Sequence, residues 1–398
     1  MIRTARVTRS VILPDRGRLA LYRRTPELGP RVLFFTGGTA LRTLSEKLIE
    51  YTHNSIHIVT PFDSGGSSAT LRKAFKMPAV GDIRNRIMAL ADKGERGNPA
   101  IFELFAHRLP DTILAGEARQ VLQHILDGRH PLIRRIPNPM REIVRSHLHV
   151  FADHMPDHFN ASGACVGNLI LTGGYLAYDR HLDPVVYLFS KLVEARGDVC
   201  AVVNEDLHLV AELENGSVLV GQHLFTGKET PPIPSPIRRL FISRETEEPR
   251  PAEIHIRDKV KARIHEAHLI CYPMGSFYSS IVANTLPKGV GDAVAALERP
   301  KVYVPNLGKD PEQLGMGLYD LVRTLLDYLQ ANCSRRTEPT TLLNTILLDS
   351  KGGNYPAPLH LRRIQDLGIQ ILDVPLVTEK SHPYLDPDLL LEALLSLT

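Results

Sequence analysis

The sequence predicts an α/β protein with a Rossmann-like fold, in which a mostly parallel sheet carries helices on both faces and a small antiparallel insert. Three observations indicate this class. The run at 32–35 is unbroken and apolar, as expected of a strand buried on both faces of a parallel sheet, and a second predicted strand follows at 56–60. Segments with helical periodicity alternate with these strands. Glycine-rich turns follow several strands, at the edge where open α/β sheets bind ligands.

The bulk composition excludes some classes of protein. The chain has 398 residues, and its net charge of +3 gives no indication of a nucleic-acid partner. No stretch has the apolar length of a membrane span, and no apolar segment of a signal peptide follows the N-terminal arginines. The four cysteines are widely spaced and mostly lie in or beside apolar segments, as buried thiols do in a reducing compartment. We therefore expect a cytoplasmic protein without nucleic-acid or membrane partners.

The first elements lead to a glycine turn. Residues 1–30 alternate weakly around two apolar stretches and predict an N-terminal hairpin or edge element. The domain from 31 to 398 then opens with a strand that ends in Thr36-Gly37-Gly38-Thr39, after which Leu41 and Leu44 recur at helical spacing. A strand, a Gly-Gly turn and a helix can present backbone N–H groups to a phosphate. A tight turn without a ligand fits these residues equally well.

The second strand leads into another glycine-rich loop, Asp63-Ser64-Gly65-Gly66-Ser67-Ser68. Asp63 could hold a metal-bound water, orient a substrate hydroxyl or cap a helix. The serines offer hydroxyls and amides that suit phosphate or sugar oxygens. Turns favour all of these residue types, so a flexible loop is the simpler interpretation of this stretch alone.

The helix at 81–91 begins with a predicted N-cap at Gly81-Asp82 and carries Arg84 and Asn85 in its first turn. An arginine at this position opposes the helix dipole, so we expect an anion or the nearby Asp82 to hold it. A mostly helical insertion follows at about 95–160. It contains the histidine-rich segment 147–158, for which a solvated polar face is favoured over a metal site because Pro156 interrupts the helix.

The next segments add polar groups at further strand ends. A small-residue helix at 163–174 places Asn168 as its single polar group able to face a site, and the strand at 199–203 leads to Asn204-Glu205-Asp206. The hairpin signal Asn215-Gly216 predicts a small β subdomain at about 205–236. The main sheet is expected to resume at 237–242.

The last third of the chain repeats the pattern of strand, glycine and hydroxyl. A strand at 267–272 leads to Gly275-Ser276, with Tyr278 and Ser279 at the following helix start, and the strand at 301–304 ends before Asn306. Strands at 342–348 and 369–374 and a final helix capped by Asp386 complete the prediction. Because these strand ends converge on one edge, an anionic ligand with phosphates and a sugar explains them most simply.

Taken in order, these segments resemble the CofD/YvcK superfamily. The turn at 36–41, the loop at 63–68 and Gly81-Asp82-Ile83-Arg84-Asn85 resemble its GGTG, DDGGSS and GDIRN motifs. Gly167-Asn168-Leu169 is similar to GNL, and the segments at 274–281 and 301–306 resemble PGSLYTSI and KVYVCN. The resemblance implies a Rossmann-like nucleotide-binding fold. Two departures stand out, since Ser64 replaces the second acid of the Asp pair and Ala40 replaces the last glycine of the first turn.

The resemblance implies two functions. A YvcK-like protein would bind a nucleoside diphosphate, of the UDP-sugar or GDP type, in a regulatory role in carbon or cell-envelope metabolism. A CofD-like transferase would move 2-phospholactate from a guanosine diphosphate ester to a deazaflavin alcohol with magnesium, releasing GMP. In that case Asp63 would hold the metal or orient the acceptor, and Arg84 would neutralise charge on the phosphoryl group. The loops are closer to the first branch, and a single carboxylate at Asp63 is a weak magnesium site.

The residues expected to bind the ligand lie at the strand ends and helix starts described above. They are Thr36, Gly37, Gly38, Thr39, Gly65, Gly66, Ser67, Ser68, Asp82, Asn85, Asn168, Asn204, Asp206, Gly275, Ser276, Tyr278, Ser279 and Asn306. Of these, 36–39 and 275–279 are expected at the phosphates, while Asn168, Asn204 and Asp206 are expected at the sugar or base. No organic cofactor is implied, and a homodimer is compatible with the resemblance.

Overall fold

The computed structural model describes residues 10–94, 97–112 and 114–398. Ten strands form two sheets in this part of the chain. In chain order they are β1 (Val32–Thr36), β2 (Ile56–Val59), β3 (Asp198–Ala201), β4 (His208–Leu213), β5 (Val218–Val220), β6 (Ile237–Ser243), β7 (Leu269–Tyr272), β8 (Lys301–Tyr303), β9 (Thr345–Leu348) and β10 (Gln370–Asp373).

The larger sheet has seven strands in the order β10-β9-β8-β7-β1-β2-β3, and every neighbouring pair is parallel. Leu33 of β1 is opposite Ile56 of β2 on one side and opposite Ile270 of β7 on the other. This is the doubly wound order, which reverses direction between β1 and β7. The predicted Rossmann-like fold is therefore confirmed, and its topological switch point lies between the two strands that precede the glycine turns.

Seventeen α-helices surround the sheets in the described residues. They are α1 (Arg16–Arg24), α2 (Arg42–Leu48), α3 (Gly66–Phe75), α4 (Gly81–Ala89), α5 (Pro99–Ala106), α6 (Ala115–Leu126), α7 (Pro131–Arg134), α8 (Met140–His154), α9 (Val166–Ala177), α10 (Leu182–Leu192), α11 (Asp258–His265), α12 (Ala283–Thr285), α13 (Val290–Ala296), α14 (Leu318–Ala331), α15 (Pro339–Leu342), α16 (Leu361–Gln365) and α17 (Pro387–Ser396). A π-helical turn, Phe277–Val282, leads into α12, and short 3₁₀ turns lie at Pro26–Leu28, Gln222–Leu224 and Pro311–Gln313.

Two apolar cores lie on opposite faces of the large sheet. Successive residues of β2 alternate between them, since Ile58 packs in one core and Val59 in the other. Helices α2, α11, α14 and α17 contribute to the first core, and α4, α5, α8, α9 and α10 contribute to the second. All five residues of β1 are buried, which explains the unbroken apolar run before Thr36 in the sequence.

The small antiparallel sheet has the order β5-β4-β6. Its existence was predicted, but the assignment of 237–242 to the main sheet was wrong, because β6 pairs with β4 and Val210 is opposite Phe241. The physical reason is visible in the strand itself. Arg238 and Arg239 are both exposed, and a strand buried on both faces does not carry two exposed arginines in succession.

The predicted N-terminal hairpin is also wrong for the described part of residues 1–30, while residues 1–9 lie outside the described residues. Residues Arg16–Arg24 form α1, and the Asp15 side chain accepts a hydrogen bond from the Arg18 amide at 3.0 Å. Leu19 and Tyr22 pack against the core, whereas Leu21 is 65% exposed. The apolar residues that contact the core are therefore three apart, as in a helix. The stretch is so short that the same residues also fit the alternating pattern of a strand.

The segment at about 95–160 is helical where it is described, with α5 to α8 packed on the second core. In its histidine-rich part, His147 is buried beside Tyr178, and the His154 ring bonds the Val150 carbonyl. No group of three or more potential metal ligands occurs among the residues that the structure describes. Within the same residues, no helix combines the length and apolar character needed to cross a membrane.

Candidate functional site

A crevice opens at the switch point, at the carboxyl ends of β1, β7 and β8. Its main cavity has a volume of about 740 Å³. The turn 36–40 forms one wall, 273–276 forms another, and 306–309 and 381–387 complete it. Cavities of this size hold nucleotide-sized ligands. Seven of the predicted residues line it, namely Thr36, Gly37, Gly38, Thr39, Gly275, Ser276 and Asn306.

Two smaller cavities, each of about 190 Å³, adjoin the main one. Gly38 and Thr39 line all three cavities, so their turn is the junction between them. The first small cavity, which we call the acidic cavity, contains Asp63, Gly65, Asp82 and Ser279 together with the segment 222–229. The second contains Arg84 and Asn85. The structure therefore brings together predicted residues from five separate segments around one turn.

The glycine turn is held from behind by Arg86 of α4, which is fully buried. Its guanidinium donates hydrogen bonds to the Ser45 Oγ at 2.6 Å, the Thr36 Oγ1 at 2.9 Å and the carbonyl oxygens of Gly38 at 3.2 Å and Gly37 at 3.4 Å. Burial lowers the pKa of Arg86 to about 10, which leaves it charged at neutral pH. The turn is thus fixed through its carbonyl groups.

The backbone amides of this turn are free where the turn lines the cavities. In the described residues, no protein group accepts a hydrogen bond from the backbone N–H of Gly38, Thr39 or Ala40. A side chain at Gly37 would collide with the Ser280 Oγ, 2.4 Å from the position of a Cβ atom. Consecutive free amides form a concave site that suits a phosphate oxygen.

Two carboxylates face each other in the acidic cavity. Asp63 follows β2, and its Oδ1 accepts hydrogen bonds from the Gly65 amide at 3.1 Å and the Gln222 Nε2 at 3.2 Å. Asp82 lies in the first turn of α4, where burial and the charge of Asp63 raise its pKa to about 7. The predicted capping role of Gly81-Asp82 is wrong, because Val80 occupies the N-cap position and no side chain caps the helix. Asp82 instead faces the Gly38 turn, with its Oδ1 3.2 Å from a Cβ placed there.

The side chains of Ser68 and Asn168 converge beside these carboxylates, next to Gly81. A Cβ atom at Gly81 would lie 2.7 Å from the Ser68 Oγ, 3.5 Å from the Asp63 Oδ2 and 3.8 Å from the Asn168 Nδ2. Asn168 is 2% exposed, and its Nδ2 donates to the Ser67 Oγ at 3.2 Å. Its buried Oδ1 has no partner among the described residues. A buried amide oxygen without a partner is a group that an unseen ligand or ion can satisfy.

Arg84 does not pair with Asp82, which was one of the two partners that the sequence predicted. Its guanidinium donates to the Cys165 Sγ and to the Asn85 Oδ1, and no ion pair with Asp82 forms. Burial lowers the pKa of Arg84. The arginine therefore borders the Gly38 turn as a cation without a carboxylate partner in the described residues.

The third predicted phosphate segment, 275–279, is only partly open to a ligand. The Tyr278 and Ser279 amides donate to the Glu312 Oε2 at 2.7 and 2.8 Å, and the Phe277 amide donates to the Asp310 Oδ2 at 2.8 Å. Burial and the charge of Asp310 raise the pKa of Glu312 to about 8. Since these carboxylates occupy the start of the π-helical turn, only Gly275 and Ser276 face the main cavity.

Apart from Ser67, Ser68 and Asn168, four predicted residues line none of the three cavities, and one of them, Gly66, is the first residue of α3. Asn204 accepts from the Leu182 amide at 2.9 Å and donates to the Arg180 carbonyl at 3.0 Å, so both its polar atoms fix the start of α10. Asp206 pairs with the buried Arg72 at 2.8 Å and lines a separate groove. Tyr278 is buried against Tyr328, away from the crevice.

Sequence reasoning missed several residues of the site. Lys228 lines both the main and the acidic cavity and forms no ion pair in the described residues. Glu229 covers Gly65, because a Cβ atom at Gly65 would lie 2.3 Å from its Oε1. Both belong to the polar stretch after β5, where no local pattern indicates contact with a distant loop. Arg86 could have been found from the sequence, because it lies at a core-facing position of the predicted helix and a charged residue there requires buried partners.

Comparisons with known proteins agree with this architecture. A family model described as 2-phospho-L-lactate transferase CofD matches residues 32–377. The chain is 28% identical over 283 residues to a gluconeogenesis factor of Listeria monocytogenes, covering 71% of this chain and 68% of the relative. It is 26% identical over 365 residues to the gluconeogenesis factor of Bacillus subtilis, covering 88% and 92%. A crystal structure of a UPF0052 family protein from Bacillus halodurans superposes with a TM-score of 0.67 at 21% identity, over 92% of this chain and 99% of the other.

Proposed function

The chain belongs to the 2-phospho-L-lactate transferase CofD family, and from this membership we propose that it binds a nucleoside diphosphate ester, of the UDP-sugar or GDP type, in the crevice. The observation that carries the proposal is the Gly38 turn, which has free amides and lines three adjoining cavities. The diphosphate would accept hydrogen bonds from these amides. Lys228 and Lys309, which both line the main cavity, would balance its charge.

The volumes of the cavities support a ligand with parts on both sides of the turn. The main cavity of about 740 Å³ is large enough for a nucleoside, whereas the acidic cavity of about 190 Å³ suits a small group. Carboxylates that accept hydrogen bonds in the acidic cavity would suit the hydroxyls of a sugar. We therefore place the nucleoside in the main cavity and the esterified group beside Asp63 and Asp82.

A regulatory role is the first candidate. Relatives that cover most of this chain are named gluconeogenesis factors. We propose that ligand occupancy of the crevice reports nucleotide-sugar levels to carbon or cell-envelope metabolism. This role needs a crevice that binds its ligand reversibly and requires no chemistry at Asp63.

Titration calorimetry with UDP-glucose, UDP-N-acetylglucosamine, GDP and GTP tests the binding proposal. Gly38 does not have a positive φ, so Gly38→Val places a side chain at the junction of the cavities without straining the backbone. We expect this variant to fold and to lose binding. Gly116→Val is the matched control, because a Cβ atom there has no neighbour within 4 Å and the site is remote. Absence of binding by the wild-type protein at millimolar ligand, or equal binding by Gly38→Val, contradicts the proposal.

The second candidate is transfer of the esterified phosphoryl group to a hydroxyl acceptor. The acidic cavity favours it, because Asp82 supplies beside Asp63 the second carboxylate that Ser64 does not provide. Asp63 and Asp82, with the free Asn168 oxygen, would hold a magnesium ion, which when bound supplies positive charge to the phosphate oxygens. Asp63 would accept the acceptor's proton while the new P–O bond forms, the anhydride bond breaks and the nucleoside monophosphate leaves.

Asp63→Asn separates the two candidates. The Asn oxygen can still accept from Gly65 and Gln222, so the substitution removes mainly the charge. A transferase would lose release of GMP from the guanosine diphosphate ester with a deazaflavin alcohol while retaining nucleotide affinity. Asp15→Asn, at the cap of α1, is the control. Equal loss of turnover and affinity, or no turnover by the wild-type protein, counts against chemistry at Asp63.

A further inference from the structure

A separate cavity of about 380 Å³ lies at the opposite edge of the large sheet, where β1, β2 and β3 begin. Helices α10 and α11 form its sides, and none of the residues that line the crevice lines it. The proposed nucleotide site therefore does not account for this cavity.

The side chains that line this cavity carry a surplus of positive charge. Four are cationic and two are anionic, namely Arg31, Lys191, Lys259 and Arg263 against Asp198 and Glu266. Arg263 pairs with both Asp198 and Glu266, so one arginine engages the two carboxylates. Lys259 contacts Asp183 at 3.2 Å. Within the described residues, Arg31 and Lys191 have no carboxylate within ion-pair distance.

Helix dipoles explain only part of this charge. Lys191 and Arg263 lie in the last turns of α10 and α11, where cations are favourable without any ligand. Arg31 directly precedes a strand, and Lys259 lies in the first turn of α11, where the dipole disfavours a cation. The helix dipoles therefore do not explain the positive charge that Arg31 and Lys259 add to the cavity.

The same cavity also has an apolar wall, formed by Ile56, Val186 and Tyr187. The Tyr187 side chain is 64% exposed, and the Lys191 ammonium lies 5.6 Å from the centre of its ring. An exposed aromatic ring beside unpaired cations suits a ligand with an anionic group and a small organic part. Inorganic ions alone would leave this wall unused.

We propose that this cavity is a second ligand site, which takes a small phosphate ester with at least two negative charges. Arg31 and Lys191 bind the phosphate, and Tyr187 covers the organic part of the ligand. The strands that begin at this site end at the Gly38 turn and at the Asp63 loop. The site is thus placed to bind an effector while the crevice is occupied.

Titration of pyrophosphate into the Gly38→Val variant tests the anion-binding part of this site, because the new side chain obstructs the free amides of the crevice and the Arg31 and Lys191 substitutions then locate the remaining binding. We expect binding to persist in Gly38→Val and to weaken by about tenfold or more when Arg31→Gln and Lys191→Gln are added, since each removes one charge-assisted contact. Both side chains are exposed, so the fold is retained, as a thermal melt will verify. Arg336→Gln with Lys351→Gln removes the same charge from exposed residues outside the described cavities.

Three outcomes overturn the proposal. The first is that folded Gly38→Val does not bind pyrophosphate. The second is that the affinity is unchanged after the Arg31 and Lys191 substitutions. The third is that the control pair weakens binding equally, which would indicate only a general charge effect. Failure of the crevice to bind nucleotides leaves this test intact, because pyrophosphate is measured at the other edge of the sheet.

Discussion

Replacing Arg86 with Met should destabilise the protein through the glycine turn. The substitution keeps an unbranched chain of similar length but removes all the donors of the guanidinium. The four acceptors are the Ser45 and Thr36 hydroxyls and the Gly37 and Gly38 carbonyls, at 2.6 to 3.4 Å. Thr36 and Ser45 already donate to the Gly37 and Leu41 carbonyls, and these two bonds remain, so the Gly38 carbonyl is the acceptor that loses its donor outright.

The magnitude follows from these contacts. Each hydrogen bond to a charged group is worth about 1.5–3 kcal/mol, and each buried acceptor left without a donor costs about 1–3 kcal/mol. Removing a fully buried cation recovers part of this, because burial already lowers the pKa of Arg86 to about 10. We expect the free energy of unfolding of Arg86→Met to fall by about 3 kcal/mol.

Urea unfolding at pH 7 measures this change from the transition midpoint. Arg323→Met is the matched control, because Arg323 forms an ion pair with Asp327 on the surface of α14 and should cost only about 0.5 kcal/mol. Nucleotide affinity should fall with Arg86→Met and stay unchanged in the control. If the two variants unfold within about 0.5 kcal/mol of each other, the turn does not depend on Arg86.

Two further predictions concern packing and pH. Gly173→Ala places a Cβ atom 1.8 Å from the His147 carbonyl where α8 and α9 touch, so urea unfolding should show a loss of about 3 kcal/mol, whereas Gly116→Ala should be neutral or slightly stabilising. Glu312 has a folded-state pKa of about 8, above its unfolded value, so the folded protein holds a proton that the unfolded chain releases. Stability should therefore fall as the pH rises from about 5 to 8, by at most about 1.4 kcal/mol per pH unit from this group. Glu312→Gln should flatten that slope, and an unchanged slope would contradict the buried-acid assignment.

The sequence was informative wherever a local pattern determines a local structure. The unbroken run before Thr36 predicted β1 because both faces of that strand are buried. The strand order was not readable, because pairing of β1 with β7 joins segments that are far apart in the chain. Residues 237–242 were assigned to the wrong sheet for the same reason, although the two exposed arginines of β6 carried the relevant signal.

The residues of the site were likewise predictable only where a local pattern indicated them. Turn glycines and hydroxyls at strand ends were predicted to meet, and most of them line the crevice. Asn204 also follows a strand, but its side chain bonds backbone groups at the start of α10. A polar residue at a strand end can bond locally or face a ligand, and the sequence does not distinguish the two. Lys228 carried no signal, since its position depends on how the small sheet packs on the large one.

The structure gives Ser64 a role that the sequence did not predict. In the sequence it counts as a lost carboxylate, and the loss argues against a metal. In the fold its Oγ bonds the His223 Nδ1 at 2.8 Å and accepts from the His223 amide at 3.3 Å, so it ties the Asp63 loop to the segment that covers the acidic cavity. Asp82 of α4 supplies a second carboxyl group, whose pKa burial and the charge of Asp63 raise to about 7. Because a second carboxyl group comes from α4, the composition of the loop 63–68 alone does not distinguish a sensor from a transferase. The response to Asp63→Asn distinguishes them.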